Sequence, residues 1–242
     1  MNLAGELAGS NPREPIQSRV LAYWNRTQER RLTSSSLGVL YSNVANQASD
    51  IVNDISQAAG TVTLTDGQTI NANQFNGNAV IDTALTIGDR LSDLNAIAVH
   101  SKIYGEMLKN NEIQFFKPSD NSLDIPTYKG LAVIVDDNLT TSTNGVYVSI
   151  LFGPGAAGFG VSEPNTGYGA EVFRWPAQGN GGGCTKLHSR VNVAVHPLGM
   201  SFAGASVAGE SPTASHQQRN QWSISTRELR HVGLTSPILP CL

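Results

Sequence analysis

His100, Ser101 and Asp136 are the side chains of this sequence that could together perform nucleophilic catalysis. His100 ends a predicted buried strand and could act as the base of a small α/β enzyme, with Ser101, Asp136 or Asp137 as its partners. No GxSxG nucleophile elbow supports this arrangement. Polar residues at strand ends more commonly form turns. The sequence therefore favours a turn, and we assign no catalytic residue.

Residues 153–158 (GPGAAG) have the glycine spacing of a dinucleotide-binding loop and follow a predicted strand. Such a loop binds pyrophosphate only when a helix begins there, because the first amides of the helix must face the phosphates. Here the chain continues through residues 159–164 (FGVSEP), which contain two further helix breakers. The sequence predicts a glycine-rich turn between extended segments and no cofactor site.

Metal-ligand patterns are weak in this sequence. Asp136, Asp137 and Asn138 follow a predicted strand and could bind calcium or magnesium, although a turn in which these side chains bond their own backbone is more common. The two cysteines, Cys184 and Cys241, form neither a disulfide framework nor a metal motif. None of the five histidines has HExxH spacing or a cysteine at ligand spacing; they are His100, His188, His196, His216 and His231. We expect no bound metal.

Composition excludes several classes of function. The 242 residues include 16 Lys and Arg against 19 Asp and Glu, a net charge of −3, whereas nucleic-acid-binding domains are usually basic. The low charged fraction, 14%, together with 24 Gly and 11 Pro, suggests many turns and much surface covered by neighbouring molecules. No apolar run approaches the ~20 residues of a membrane span. The first residues lack a basic signal-peptide region, so we expect a soluble chain without a membrane partner.

Residues 12–47 are predicted to form one long helix, which we call the spine helix. Asn11 is a suitable N-cap and Pro12 suits the first helical position. Glu14 lies in the first turn, where a carboxylate meets the positive end of the helix dipole. The apolar residues recur at mixed steps of three and four, as an amphipathic helix requires. A helix of this length reaches about 50 Å, and the hydroxyl-rich residues 33–38 favour a bend.

Shorter elements are predicted to follow the spine helix. A weaker helical pattern covers residues 48–59, an Asp-Gly pair marks a hairpin over residues 61–70, and a short helix over residues 79–87 stops at Gly88. The later part of the chain has an α/β texture. We predict strands at residues 94–100, 131–135, 146–152, 191–195, 222–224 and 229–232, a helix capped by Ser101, a turn at residues 125–130 and a helix near residues 212–218.

Four separated blocks of this sequence resemble the major capsid proteins of tailed bacteriophages. The resemblance is to the branch of the HK97-like fold with a His-Ser-x-x-Tyr helix start, an Ile-Pro-Thr-Tyr-x-Gly turn and a Val-Ile-Val-Asp-Asp strand. The blocks keep their order over most of the chain. They are residues 94–104 (LNAIAVHSKIY), 123–137 (LDIPTYKGLAVIVDD), 146–156 (VYVSILFGPGA) and 193–204 (VAVHPLGMSFAG), the last followed by residues 211–214 and Trp222.

This resemblance implies an α+β chain with an HK97-like capsid fold, built from a long spine helix, a peripheral β-sheet and an α/β axial domain. Residues 1–78 would contain the spine helix and part of the peripheral domain, residues 79–189 the axial domain, and residues 190–242 the return to the peripheral domain with a C-terminal tail. The family usually carries an N-terminal arm and an extended loop before the spine helix. Here about ten residues precede Pro12, so the arm and loop are expected to be missing.

The implied function is structural rather than enzymatic. The chain would be a coat subunit that assembles with copies of itself, as hexamers and pentamers, into an icosahedral shell around double-stranded DNA without base recognition. Scaffolding, portal or decoration proteins would be further partners, and the chain would occupy the virion and, during assembly, the host cytoplasm. The alternatives are an encapsulin-like nanocompartment shell protein and a small α/β enzyme using His100. Subunit-interface candidates lie along the spine helix, although exposed arginines are commonly only solvated: Arg13, Arg19, Arg26 and Arg30.

Overall fold

In the described part of the chain the helices lie before residue 110 and the elements from residue 113 onward are strands, a mixture that confirms the α+β class. The predicted cap at Asn11, Pro12 and Arg13, the helix near residues 212–218 and the strand at residues 229–232 lie outside the described residues. The strand predicted at residues 222–224 is confirmed. The computed structural model describes residues 14–46, 48–63, 67, 69–116, 124–141, 145–162, 169–178, 183–202, 222–224 and 236–240.

The spine helix is confirmed as α1 (Glu14–Asn46), 33 residues long. It continues without interruption through the hydroxyl-rich residues 33–38, which are all buried. The helix predicted for residues 48–59 is wrong. Ala48 and Ser49 adopt positive φ angles, +52° and +60°, which an α-helix cannot continue, and the chain then enters strand β1 (Val52–Asp54).

The amphipathic pattern predicted for α1 does not describe its burial, because residues 33–40 are all buried, the serines and Gly38 included. Leu37, Val39 and Leu40 are buried in a core cluster. In the first half, Leu21 is 65% exposed and Tyr23 is 57% exposed, so these apolar side chains do not form a buried face there. Apolar spacing along a helix shows which residues share a face, but it does not show whether anything covers that face.

The chain divides into two compact units. The first unit comprises residues 1–32 and 159–195, and the second comprises residues 33–158 and 196–242. The division between the units falls inside α1 and inside two strands of the second half of the chain. The predicted domains, 1–78, 79–189 and 190–242, follow the chain rather than the density of contacts, and they stay a prediction.

A five-stranded mixed sheet forms the centre of the second unit, in the order β5-β6-β7-β4-β9. Strand β4 runs parallel to β7 and antiparallel to β9, and the other neighbours are antiparallel. The strands predicted at residues 94–100, 131–135 and 146–152 are confirmed, the last one broken at Ser149. The bounds are β4 (Ala96–Val99), β5 (Ile113–Phe116), β6 (Ile125–Tyr128), β7 (Leu131–Val135), β8 (Val146–Val148) and β9 (Ile150–Phe152).

Two details of this sheet differ from the sequence prediction. Residues 125–128, predicted as part of a turn, form β6, and the turn is confined to Lys129 and Gly130 with φ angles of +48° and +84°. Two positive φ angles match the right-handed twist of the flanking strands. Strand β7 is less buried than predicted, because Ile134 and Val135 are exposed.

Two core clusters lie on opposite faces of the sheet near β4 and β9. Helices α2 (Gly77–Leu85) and α3 (Ser101–Lys109) contribute Val80, Ile103 and Met107 to the cluster that contains Ile97 and Leu151. The neighbouring Ile150 belongs to the other cluster, with Leu37 and Leu40 of α1, because successive strand residues point to opposite faces. The predicted helix at residues 79–87 is confirmed as α2, followed by a 3₁₀ helix (Gly88–Asp93).

The remaining strands form small sheets. The predicted hairpin is confirmed as β2 (Thr61–Thr63) against β3 (Thr69–Asn71), and β16 (Ser236–Pro240) lies between β1 and β8. Strands β11 (Ala170–Trp175) and β12 (Cys184–Ser189) form a two-stranded antiparallel ribbon, called the ribbon below. The other pairs are β10 (Ala157–Ser162) with β13 (Asn192–Pro197), which confirms the strand at residues 191–195, and β14 (Met200–Phe202) with β15 (Trp222–Ile224).

Candidate functional site

His100 is the N-cap of α3, at the point where β4 ends. Its Nδ1 atom accepts a hydrogen bond from the backbone N–H of Lys102 at 3.1 Å, so the prediction of Ser101 as the cap is wrong. An imidazole nitrogen that accepts this bond carries no proton. A neutral His100 ring therefore carries its proton on Nε2, which lies 3.9 Å from Oδ1 of Asp137.

Ser101 and Asp137 join His100 in a small polar cluster. The Ser101 Oγ lies 3.5 Å from His100 Nδ1, but Lys102 already occupies that nitrogen. Asp137 accepts the Ser101 backbone N–H at 3.4 Å, and hydrogen bonding from the Ser101 side chain lowers the pKa of the Asp137 carboxyl. The lone pair that would deprotonate Ser101 is thus committed to the helix cap, which does not suit nucleophilic catalysis.

The surroundings of the His100 ring are those of a packed side chain. The ring lies 4.3 Å from the ring of Tyr147, centroid to centroid, and the Lys102 Nζ lies 5.7 Å from the Tyr147 ring centroid. Burial lowers the pKa of His100; the charge of Asp137 opposes this, that of Lys102 adds to it, and that of Asp136 opposes it. The cluster caps a helix with a neutral ring.

Asp136 faces a different set of partners from Asp137. Its carboxylate, only 8% exposed, accepts hydrogen bonds from the Thr33 hydroxyl, the Asn138 backbone N–H at 2.9 Å and the Asn138 amide at 2.7 Å. The turn weighed above for residues 136–138 is therefore confirmed. Across the described part of the chain, no group of three or more His, Cys, Asp or Glu residues could hold a metal ion.

The glycine-rich segment after β9 is a turn, as predicted. A Cβ atom at Gly153 would lie 2.3 Å from the backbone oxygen of Asp93, so this glycine allows two backbone segments to approach closely. Strand β10, not a helix, begins at Ala157. The helix N-terminus that would bind a pyrophosphate does not follow this turn.

The predicted interface arginines that the structure describes lie exposed on the first half of α1; Arg13 lies outside the described residues. Arg19, Tyr23, Arg26 and Arg30 are spaced by four, three and four residues and therefore share one helix face. We call these four residues the spine stripe. Sequence reasoning named the arginines but missed the place of Tyr23 among them, which the same spacing would have revealed. Within the described ranges, none of the three arginines forms an ion pair.

Trp24, next to the stripe on the same half-helix, contacts the ribbon. The Trp24 Nε1–H donates a hydrogen bond to the Ser189 Oγ at 2.8 Å, and the Tyr23 and Trp24 rings meet edge to face with centroids 5.5 Å apart. Trp24 is half-buried, whereas the spine stripe is exposed. The stripe is therefore the outward face of an element that is anchored within the first unit.

Comparisons with known proteins place these features in context. No protein-family model matches the chain, and among the described helices none is long and apolar enough to cross a membrane. The chain is 32% identical over 216 residues to the major capsid protein of Bacillus phage SPP1. The match covers 88% of this chain and 60% of that relative, so the chain spans about three fifths of its length.

A solved structure also matches the chain. It is the cryo-electron-microscopy structure of the holo-SrpI encapsulin complex from Synechococcus elongatus, with a TM-score of 0.44 and 13% sequence identity, over 94% of this chain and 66% of that one. The sequence match to the phage protein extends over nearly all of the chain, including the blocks singled out above. The resemblance of this chain to the major capsid proteins of tailed bacteriophages is thereby confirmed.

Proposed function

We propose that this chain is a major capsid protein subunit of HK97-like fold that assembles with copies of itself into an icosahedral shell around double-stranded DNA. One observation carries the proposal: 32% identity to a phage major capsid protein over 88% of the chain. The order of elements supports it, with a long helix first, a mixed sheet with two helices next and further strands last. Residues 1–78, 79–189 and 190–242 are its spine and peripheral part, axial domain and peripheral return.

The role is structural and not enzymatic. The histidine that might have served as a catalytic base caps a helix through Nδ1, and the glycine-rich segment leads into a strand. Large apolar side chains are exposed on α1, the ribbon and the central sheet. Such surfaces mark interfaces in soluble proteins, as expected of a subunit whose sides are covered by its neighbours.

The partners follow from this role. Copies of the chain form hexamers and pentamers, in which each subunit repeats the same contacts. Scaffolding, portal or decoration proteins bind the shell, and packaged DNA is contacted without base recognition. The chain resides in the virion, and in the host cytoplasm while the shell assembles.

Light scattering and negative-stain microscopy over a wide range of protein concentration test this proposal. We expect rings or shells to appear as concentration rises, with the mass measured by light scattering increasing in steps of the subunit mass, 25.7 kDa. Shells that retain nuclease-resistant DNA would support the coat protein, whereas shells that retain one cargo protein would support a nanocompartment. A chain that stays monomeric at every concentration would contradict self-assembly.

A further inference from the structure

The first compact unit has little core of its own. Both core clusters consist of residues of the second unit. In the described ranges of the first unit, no hydrophobic residue is as buried as those of the clusters. Large apolar side chains that are exposed there instead include Leu21, Tyr23, Phe159, Val161, Val172 and Phe173. A unit of this size needs apolar burial to offset its conformational entropy, and these exposed side chains offer apolar surface that a neighbouring molecule can cover.

The ribbon, like the first unit as a whole, exposes much of its surface. Its six residue pairs run from Ala170–Ser189 to Trp175–Cys184. Four successive side chains of β11, residues 171–174, are exposed, and successive strand residues point to opposite faces, so both faces of β11 are open. Two-stranded ribbons are marginally stable in water unless something packs on them. The first unit therefore has exposed surface that is suited to contact with another molecule.

The distribution of charge between the two units indicates which surface contacts the first unit. The first unit contains eight basic and five acidic residues, a net charge of +3, and the second unit contains eight basic and fourteen acidic residues, a net charge of −6; together they give the −3 of the whole chain. Each copy thus carries one basic and one acidic body. Opposite potentials favour a contact between the basic body of one copy and the acidic body of another.

The acidic body has a surface that matches the spine stripe. Helix α2 exposes Ile81, Asp82 and Leu85; Leu85 neighbours the other two on the helix surface, because it lies four residues after Ile81 and three after Asp82. Asp89 and Leu91, on the 3₁₀ helix that follows, are also exposed. We call these five exposed residues, which all lie within residues 81–91, the acidic face. It combines apolar side chains with carboxylates, as the stripe combines a tyrosine with arginines.

We propose that the spine stripe of one copy docks on the acidic face of a second copy. This inference rests on the proposed function, since it names the partner surfaces of the self-assembling chain. Arginine is suited to this contact because its guanidinium fork binds carboxylates through two parallel hydrogen bonds. Two different surfaces meet, so the contact is heterologous and repeats from copy to copy, which closes a ring when the rotation is suitable.

A DNA backbone is the competing occupant of the stripe, because phosphates also bind arginine. Two observations favour a protein. Tyr23 lies within the stripe and is 57% exposed, so the surface offers apolar area that phosphates would leave uncovered. The acidic face, in turn, exposes Ile81 and Leu85 beside Asp82, a combination that fits a basic and apolar partner.

Charge reversal with mixing tests the proposal. The stripe variant carries Arg19→Glu, Arg26→Glu and Arg30→Glu, and the face variant carries Asp82→Arg and Asp89→Arg. Each variant alone should raise the concentration for half-assembly about tenfold or more, because like charges then meet. An equimolar mixture should assemble again, since each reversed surface finds its complement in the other variant, and rings with an even number of subunits should be favoured.

Controls keep the outcomes distinct. The control variant carries Lys109→Glu and Lys129→Glu. These substitutions replace positive by negative charges, as the stripe variant does, but at exposed positions outside both surfaces. The control variant should leave assembly unchanged. Circular dichroism checks that each variant folds, and rescue on mixing cannot arise from misfolded chains. If wild type and both variants assemble alike, this inference is wrong while the proposed function stands. Loss of duplex DNA binding by the stripe variant with unchanged assembly would assign the stripe to DNA. A monomeric wild type overturns both.

Discussion

Asp136 and Asp137 are adjacent in the sequence but lie in opposite surroundings. Asp136 is buried and accepts three hydrogen bonds, one of them from Thr33 of α1. The Asp137 side chain is 74% exposed and contacts Ser101 and His100. The sequence identified both as polar residues at a strand end. It could not separate their roles, because Thr33 lies 103 residues away from Asp136 along the chain.

Replacing the buried carboxylate should therefore destabilise the second unit. We expect Asp136→Ala to lower the free energy of unfolding by about 2 kcal/mol, because the Thr33 hydroxyl and the Asn138 amide lose a buried acceptor. The matched variant Asp137→Ala should have little effect, since solvent replaces its contacts. Urea denaturation measures both. Equal losses for the two variants would show that the buried hydrogen bonds of Asp136 stabilise the fold no more than the exposed contacts of Asp137.

His100 should make stability depend on pH. Burial lowers its pKa in the folded chain, whereas an unfolded histidine titrates near about 6.5. The unfolded chain then binds more protons than the folded chain as pH falls through this value, so protonation favours unfolding. We expect stability to fall from about pH 7 to about pH 5.5 with a component that His100→Gln removes.

The control for this titration is His188→Gln, on the exposed ribbon. It should keep the wild-type slope in urea denaturation series at closely spaced pH values. The groups that face His100 are Lys102, Asp136, Asp137 and Tyr147, and hydrogen bonding from Ser101 lowers the pKa of the Asp137 carboxyl, away from this pH range. A slope that is the same in wild type and His100→Gln would mean that the ring is not held neutral by the fold.

At the scale of single elements, sequence patterns predicted the strands and helices of the central sheet well. The strands at residues 94–100, 131–135 and 146–152 are short runs of apolar and β-branched residues whose burial the tertiary structure satisfies. The helix predicted at residues 48–59 failed because side chains at the end of α1 fix a turn there. Asn43 binds the Asp50 carboxylate at 2.6 Å and accepts the Ile51 N–H, which fixes a turn where the apolar spacing alone indicated a helix.

Gly153 and Gly105 provide the prediction at the scale of elements, because Gly153 lies in the turn after β9 and Gly105 lies inside helix α3. Gly153→Ala should lower stability by about 1–3 kcal/mol, since its Cβ would lie 2.3 Å from the Asp93 backbone oxygen. Gly105 lies inside α3 with nothing within 4 Å of its would-be Cβ. Gly105→Ala should raise stability by about 0.5–1 kcal/mol, because alanine favours the helix. Thermal unfolding of both variants checks the two signs.

The contrast also tests the interpretation of the glycine-rich turn. If Gly153→Ala were neutral, close packing of the turn against the end of the 3₁₀ helix (Gly88–Asp93) would be excluded as the reason for this glycine. A nucleotide panel in the same thermal assay provides an independent measurement. We expect no ligand to shift the transition, since a ligand that binds only the folded chain would raise it.

At the scale of the whole molecule, the sequence could indicate the spine helix but not where burial ends along it. Composition suggested that neighbours cover much of the surface, and the exposed side chains Leu21, Tyr23 and Phe173 agree with that suggestion. The boundary between the units falls after residue 32, and both core clusters lie in the second unit. Both features depend on contacts between distant parts of the chain. Apolar spacing within one helix carries no information about such contacts.

Hydrogen exchange should reveal this division directly. In dissociated subunits, amides of the ribbon should exchange about 100-fold or more faster than those of β4, because local opening is easiest where few buried contacts resist it. Ile97 and Val99 of β4 are fully buried, whereas Val172 and Phe173 of β11 are exposed. On assembly, the ribbon and residues 15–32 should gain protection while β4 changes little.

The edge strand β5 is the control, because Phe115 and Phe116 are exposed although they belong to the second unit. If exposure alone set the exchange rate, β5 and the ribbon would behave alike in the dissociated state. If a core beneath the strand decides it, β5 should be the slower of the two, since Ile113 packs in a core cluster. The ribbon amides could instead exchange as slowly as those of β4 before assembly. That result would show that the first unit is stable without its neighbours, and its exposed apolar surface would then need another explanation.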